Sequence, residues 1–170
     1  YGWGGAGAFS DGKLNLSAQV GGQLAGLIPE RSLLNLISQV DEVFLSYGAP
    51  EELFGTNPDE IEALARRAEK ASLKLIPTKM RHLGTEMCRR ILVRIRKDLG
   101  QKIEIRTGQE VEAVTARRGR VTGVRTTDGS SHRSRFVVLA PGRGGAEWLE
   151  REAKRLNLHT ESNPVDLGVR

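Results

Sequence analysis

The fold is decided by residues 110–142, which read EVEAVTARRGRVTGVRTTDGSSHRSRFVVLAPG. Apolar and polar residues alternate through this stretch, and two turn signals, Arg118-Gly119 and Asp128-Gly129, divide it. Asp-Gly strongly favours a tight hairpin because its glycine readily adopts a positive φ. The pattern therefore predicts a meander of three strands, at 110–116, 121–127 and 132–140. Residues 136–140 are continuously apolar, which is typical of a strand buried on both faces of a parallel sheet.

Three helices are predicted before this meander. The first ends at Gly48 and carries an apolar stripe of Leu33, Ile37, Val40, Phe44 and Tyr47. The third ends at Gly100, has Thr85 as its expected N-cap and carries an apolar stripe of Met87, Ile91, Ile95 and Leu99. The second begins at Asn57, where an asparagine cap precedes a proline in the first helical position. A short strand is predicted over 102–106, because Ile103 and Ile105 alternate with polar neighbours. A fourth helix is predicted at 148–156, after the meander.

Composition narrows the class of protein. With 38% hydrophobic and 28% charged residues, the chain is expected to be globular, and no apolar run approaches the roughly 20 residues that cross a bilayer. The single cysteine, Cys88, excludes an internal disulfide framework and fits a reducing cytoplasm. Three histidines, on separate predicted elements, give no tetrahedral ligand set, so no metal is expected. We therefore expect a cytoplasmic protein with neither a metal nor a membrane span.

The net charge of +5 raises the question of nucleic-acid binding. Much of the excess positive charge lies on the second and third predicted helices, where a solvated helix face is the commoner explanation. Aromatic residues make up only 5% of the chain and are not interleaved with the basic ones as stacking platforms would be. Nucleic-acid binding is therefore not expected.

The first residues contain a glycine pattern with the spacing G-x-G-x-x-G, from Gly2 to Gly7. That fingerprint binds a dinucleotide only where a strand precedes it and a helix follows. Here one residue precedes it and a polar stretch follows, so we reject it as a dinucleotide fingerprint. Glycine-rich backbone can still approach a phosphate or a flavin closely, because no Cβ intervenes.

A longer pattern starts in the same place. Residues 5–14 read GAGAFSDGKL and resemble the signature G-x-G-x-F-S-D-G-K-L of a family of uncharacterised FAD-dependent dehydrogenases, which are flavoproteins with two dinucleotide-binding folds. Three further stretches agree in order, and the resemblance spans essentially the whole chain. They are Tyr47-Gly48-Ala49-Pro50-Glu51-Glu52, His82-Leu83-Gly84-Thr85-Glu86 and Leu167-Gly168-Val169-Arg170.

The resemblance implies a fold and a set of cofactor-binding residues. The fold class is α/β, an incomplete FAD-binding Rossmann-like domain with a helical segment and a three-stranded β-meander. The predicted single domain, 1–170, comprises a Gly-rich loop over 1–28, a helical part over 29–100, a strand and meander over 101–145, and a helix and tail over 146–170. The residues implied near FAD are Gly5, Gly7, Ser10, Asp11, Lys13, Val111, Ala140, Pro141 and Gly142.

The chain departs from the family pattern in two places. The family usually has G-H-S-A-R-D after the buried strand, where this chain has Gly142-Arg143-Gly144-Gly145-Ala146-Glu147. The family also has P-H-I-G-T-D where this chain has Arg81-His82-Leu83-Gly84-Thr85-Glu86. The first change removes hydroxyl and imidazole groups near the cofactor, so the sequence assigns no catalytic residue.

Three groups remain as candidates for chemistry. His82 is either a proton donor near a flavin or an exposed loop histidine, and the second interpretation is favoured. Asp11 and Lys13 either line the site as an ion pair or stabilise a solvated loop. Cys88 is either an activated thiol beside Arg89 and Arg90 or a half-buried structural residue, which is the better expectation.

The sequence thus predicts an interior fragment of an FAD-dependent dehydrogenase that transfers a hydride from an unknown small-molecule substrate. The alternative is a basic α/β module that binds RNA or a protein partner without redox activity. By itself the chain is expected to be inactive and free of FAD, and to self-associate through an exposed sheet edge. Residues 1 to about 12 are expected to be poorly ordered or held by a neighbouring chain.

Overall fold

In a computed structural model of the protein, residues 3–161 are described, except for the side chains of Ala6 and Phe9. The chain divides into two compact units, Tyr1–Thr107 and Gly108–Arg170, where the sequence predicts one domain over 1–170. Helices and strands are both present in the described residues, and the sheets are small and antiparallel. The mixed α/β class is therefore confirmed.

The first unit contains three helices and a two-stranded sheet. Its helices are α1 (Glu30–Ser46), α2 (Pro58–Lys70) and α3 (Gly84–Leu99), and its strands are β1 (Lys13–Asn15) and β2 (Met80–His82). Two 3-10 helices, Gly5–Phe9 and Leu24–Gly26, lie in the stretch predicted as loop. Residues 3–28 are therefore more structured than the sequence indicates, because β1 pairs with β2, which lies far along the chain.

Local signals account for the helix boundaries of this unit. The Asn57 side chain accepts hydrogen bonds from the backbone N–H groups of Asp59 and Glu60, and Pro58 occupies the first helical position, as predicted. After α1, Gly48 adopts a φ of 94°, which ends the helix. The Thr85 cap is wrong by two residues, because α3 begins at Gly84 and Leu83 is its N-cap residue.

The core of the first unit lies between α3 and the end of α1. Ile91 on α3 is completely buried, and Leu83, Cys88 and Ala49 pack around it. Ile91 and Ile95 belong to the apolar stripe predicted for this helix. The core therefore brings together residues that are about 40 positions apart in the sequence. Helical periodicity alone does not specify which distant residues pack together.

The second unit contains the predicted meander. Strands β3 (Val111–Arg117), β4 (Arg120–Thr126) and β5 (Ser131–Arg133) form an antiparallel sheet in that order. In the hairpin at Asp128-Gly129, Gly129 has a φ of 86° and donates from its backbone N–H to Thr126 O at 2.9 Å. A Cβ at Gly123 would lie 1.9 Å from His132 O, so only glycine fits where β4 pairs with β5 at this position. Helix α4 (Ala146–Arg155) follows the sheet.

The predicted strand at 102–106 is wrong, and so is the 136–140 part of the strand predicted at 132–140. Residues 102–106 and 136–140 belong to no strand, and Phe136 and Val138 are 81% and 91% exposed. A strand forms only with a hydrogen-bonding neighbour, and both sheets within residues 3–161 are antiparallel pairs or meanders that do not include these runs. The Rossmann-like arrangement therefore stays a prediction. Among the same residues, no helix has the length and apolar character needed to cross a bilayer.

Candidate functional site

Strands β1 and β2 bring two of the four resembling stretches together. The antiparallel register places Lys13 opposite His82 and Leu14 opposite Arg81. Just before β1, the Gly12 carbonyl accepts a hydrogen bond from the Leu83 backbone N–H at 2.7 Å. Residues 12–14 therefore run alongside residues 81–83, at the point where α3 begins.

Gly12 fits this crossing because it has no side chain. Its φ is 71°, and a Cβ built there would lie 2.9 Å from both Gly84 O and Leu83 Cβ. Any other residue would be strained by its backbone conformation and would also clash with the first turn of α3. The glycine of the stretch S-D-G-K is therefore required by the close approach of two backbone segments.

The polar residues of this stretch form a small exposed cluster. Asp11 and Lys13 make an ion pair of 2.8 Å, with 59% and 55% of their side chains exposed. The pKa of Asp11 lies below its ordinary value, first because the Lys13 ammonium hydrogen-bonds to the carboxylate and to a lesser extent because of the charge of nearby His82. Ser10 Oγ accepts a hydrogen bond from the Gly12 backbone N–H at 3.0 Å and so holds the turn. His82 is exposed, as expected, but it lies in β2 and not in a loop.

The Gly5–Phe9 3-10 helix lies against α3. Cys88 is buried, and its Sγ donates to the Gly7 carbonyl at 3.1 Å, which agrees with the structural role expected for this thiol. The Trp3 indole N–H donates to Leu92 O at 2.8 Å. Trp3 and Gly7 thus contact α3, while Tyr1 and Gly2 lie outside the described residues. That residues 1 to about 12 are poorly ordered or held by a neighbouring chain stays a prediction.

Gly5 and Gly7 lie in this 3-10 helix. A Cβ at either position would meet no described atom within 4 Å beyond its chain neighbours. Gly5 is exposed and has a φ of 49°, which by itself favours glycine, whereas Gly7 is half-buried and no packing contact requires a glycine there. This contrasts with Gly12, which is confined by protein atoms.

A third resembling stretch reaches the same region through an arginine that sequence analysis did not select. Arg81, in β2, makes a bidentate ion pair with Asp41 of α1, with Nε–Oδ1 and Nη2–Oδ2 distances of 2.5 and 2.8 Å. Its Nη1 also donates to the carbonyls of Pro50 and Glu51. Only 6% of the Arg81 side chain is exposed. The sequence contains one indication of this pair. Asp41 lies four residues after Ile37, which places its carboxylate on the apolar face of the helix, where a partner is needed.

The remaining predicted site residues lie in the second unit. Val111 begins β3 opposite Thr126, and Ala140, Pro141 and Gly142 form an exposed segment before α4. Gly142 has a φ of 66°. Three of the four resembling stretches therefore meet in the first unit, whereas Val111 and 140–142 belong to the second, and the stretch 167–170 lies outside the described residues.

The described side chains were also compared with what a metal site or a charged binding surface requires. No group of three or more His, Cys, Asp and Glu side chains among residues 3–161 is arranged to hold a metal ion. Several basic side chains pair with acidic ones at the surface, as Arg66 does with Glu62 and Lys154 with Glu150. Such exposed pairs are typical of solvated helix faces.

Comparison with known proteins adds no family assignment. The sequence matches no protein-family model, and no curated protein matches it significantly. The resemblance to FAD-dependent dehydrogenases therefore rests on the quoted stretches and stays a prediction.

Proposed function

We propose that the chain forms one wall of a flavin site in an FAD-dependent dehydrogenase. The observation that carries the proposal is the meeting of three resembling stretches, 5–14, 47–52 and 82–86, around β1, β2 and the start of α3. These stretches are separated by 32 and 29 residues of chain, and a chance likeness would not require them to be neighbours. That the three stretches lie together supports the proposal that they bind the same ligand.

The residues present suit a flavin nucleotide in shape and in donor chemistry. Gly5 and Gly7 have no Cβ, so that a flat ring or a phosphate can come close. Ser10, while accepting from Gly12, can donate its hydroxyl proton to a ligand oxygen. Lys13, in the same stretch of chain, supplies an exposed ammonium for an anionic group.

FAD, when bound, would supply the redox chemistry as a hydride acceptor, and the residues of the chain would supply position and electrostatics. The first-unit residues would hold the flavin or pyrophosphate, and the roles implied for Val111 and 140–142 stay predictions from the resemblance. The Asp11–Lys13 ion pair fixes the ammonium, and Asp11 keeps its charge because its pKa is lowered. Asp11 therefore serves as a positioning group and not as a proton donor at neutral pH.

The test is a titration of the 15N-labelled 170-residue chain with FAD, followed by NMR. We expect weak, saturable binding, with shifts concentrated in the amides of residues 5–13. Gly7→Leu places a side chain in the open space and should abolish these shifts. Gly26→Leu is the matched control, because Gly26 also lies in a 3-10 helix, faces open space and has no positive φ.

Two results would overturn the proposal. The first is the absence of shifts in residues 5–13 at millimolar FAD. The second is an equal loss of binding in Gly7→Leu and Gly26→Leu, which would show that the shifts report general destabilisation. Helical circular dichroism of both variants checks that they remain folded.

A further inference from the structure

Helix α3 carries a basic face on the side opposite the core of the first unit. We call the following exposed residues the basic face: Glu86, Arg89, Arg90, Val93, Arg94 and Lys97. They recur at spacings of three and four residues, which places them on one side of a helix. Four basic residues and one acidic residue give this face a net charge of +3, where the whole chain carries +5. Much of the excess positive charge of the chain is therefore concentrated here.

The charges of the basic face are not neutralised within the part of the chain that the structure describes. None of its four basic side chains forms an ion pair there with a carboxylate, and this includes the carboxylate of Glu86, one turn before Arg90. The exposed face of α2 differs, since Arg66 pairs there with Glu62. Like charges on neighbouring turns of a helix are destabilising. An anionic partner would therefore be favoured at the basic face.

One arginine of the basic face is already held in position. Arg94 Nη1 donates to the Tyr47 carbonyl at 2.9 Å, where α1 ends. A guanidinium has five N–H groups, so this bond leaves donors for a carboxylate. An arginine that is anchored in this way loses less side-chain freedom when a ligand binds. Arg94 is therefore partly organised for an anionic ligand before one arrives.

The apolar part of the basic face indicates which kind of anion fits. Val93 is 60% exposed and lines, together with the arginines, a shallow cleft of about 300 Å³. The cleft has room for an aliphatic side chain, since a cavity of about 150 Å³ holds benzene. A phosphate backbone has no such group to offer and would be repelled by Glu86, whereas interfaces between proteins combine an apolar centre with arginines. The face therefore suits an acidic protein segment better than a nucleic acid.

We infer that the basic face binds an acidic helical segment of a partner protein. Carboxylates of that segment pair with Arg90, Arg94 and Lys97, whose spacing matches that of residues on one face of a second helix. An aliphatic side chain between these carboxylates contacts Val93. Arginine suits this role because its planar guanidinium can bind a carboxylate through two hydrogen bonds. The inference goes beyond the proposed flavin site and does not depend on it.

The test is a fluorescence-anisotropy titration of a labelled acidic peptide with the 170-residue chain. The peptide has about 15 residues, enough for a helix, with one leucine at its centre, glutamates three and four residues to either side and alanines elsewhere. We expect saturable binding that weakens as the salt concentration rises. A control peptide with glutamine at each glutamate position should bind about tenfold more weakly, because carboxylate bonds to arginine are charge-assisted.

Two pairs of variants test the location. Arg90→Glu reverses a charge on the basic face and should weaken binding of the acidic peptide about tenfold. Arg67→Glu makes the same change of net charge at an exposed arginine of α2 and should change the affinity less than about twofold. Val93→Ala removes the apolar contact and should weaken binding about threefold. Val43→Ala, at an exposed valine of α1, should leave it unchanged.

Several outcomes would overturn the inference. They are the absence of saturable binding, equal affinities for the two peptides, equal losses in Arg90→Glu and Arg67→Glu, and an affinity that Val93→Ala leaves unchanged. A uridine oligonucleotide that binds more tightly than the acidic peptide, and equally well to Val93→Ala, would assign the basic face to a nucleic acid instead. Circular dichroism checks that all four variants remain folded.

Discussion

The carboxylate of Glu152 accepts a hydrogen bond from the backbone N–H of Val114, with 2.8 Å between Oε2 and N. Arg155, one turn later on α4, donates to the carbonyl of the same valine and to the Glu152 carboxylate. The Trp148 indole N–H donates to Glu112 O at 2.8 Å. Helix α4 thus occupies backbone groups of β3, an edge strand of the meander, and blocks pairing with another chain there.

This relationship predicts a stability effect at Glu152. Glu152→Ala should lower the free energy of unfolding by about 1–3 kcal/mol, because it leaves a buried N–H without an acceptor. Glu152→Gln should cost less, since an amide oxygen can still accept from Val114. Urea unfolding measures both. Glu150→Ala is the control on the same helix, where the side chain is exposed, and a loss as large as that of Glu152→Ala would contradict the prediction.

A second prediction concerns the hairpin at Asp128. The pKa of Asp128 is lowered to about 2, first because the Thr126 hydroxyl donates to its carboxylate and then because the Ser130 backbone N–H does so. A lowered folded pKa contributes stability above the ordinary value of 3.8, which is lost as the pH falls through about 2. NMR titration of the Asp128 carboxyl carbon should show this pKa.

Substitution of Thr126 tests the cause of that shift. Thr126→Val removes the largest contribution and should raise the pKa of Asp128 toward 3.8. Thr127→Val, at the neighbouring threonine, serves as the control and should leave it near 2. An Asp128 pKa that is unchanged in Thr126→Val would show that the hydroxyl is not the cause.

A third prediction separates backbone strain from steric contact at Gly12. Gly12 and Gly119 have φ values of 71° and 73°, but only at Gly12 would a Cβ meet protein atoms. Both Gly→Ala variants should lose about 1–2 kcal/mol of stability through the left-handed conformation. Gly12→Ala should lose about 1–3 kcal/mol more through the clash with Gly84 and Leu83. Equal losses of stability in Gly12→Ala and Gly119→Ala, measured by thermal unfolding, would contradict the close approach of Gly12 to Gly84 and Leu83.

A fourth prediction concerns the buried ion pair. Asp41→Asn should destabilise the protein by about 3–5 kcal/mol, because Arg81 remains buried without its counter-charge. Glu62→Gln breaks the exposed pair with Arg66 and should cost less than about 1 kcal/mol. Chemical denaturation of both variants checks the contrast. Similar small losses would show that Arg81 reaches solvent.

A fifth prediction concerns the cofactor. In two-dinucleotide-fold flavoproteins the pyrophosphate is held mainly by a glycine-rich turn at a helix N-terminus in a βαβ unit, and residues 3–161 contain no such unit. Losing three or four charge-assisted hydrogen bonds weakens binding by several powers of ten. The 170-residue chain should therefore purify colourless, as its visible spectrum will show. FAD at near one per chain, with a micromolar or tighter dissociation constant, would contradict this.

The sequence by itself determined the elements whose hydrogen bonds close locally. Asn57 and Pro58 start α2 because the cap and the fixed φ act within one turn, and Asp128-Gly129 makes its hairpin because the strands it joins are adjacent in the chain. The apolar stripe of α3 is local in the same sense. The three strands of the meander were therefore predictable to within a few residues, except that β5 ends at Arg133.

Only the tertiary structure decided the elements that need a distant partner. Residues 102–106 and 136–140 have strand-like patterns but no strand beside them, whereas the three residues of β1 form a strand because β2 pairs with them from 65 residues away. The Arg81–Asp41 pair and the contact of Gly12 with Leu83 likewise depend on how α1, β2 and α3 pack. Periodicity specifies which face of a segment is apolar, but a hydrogen-bond partner is specified only when the chain has folded.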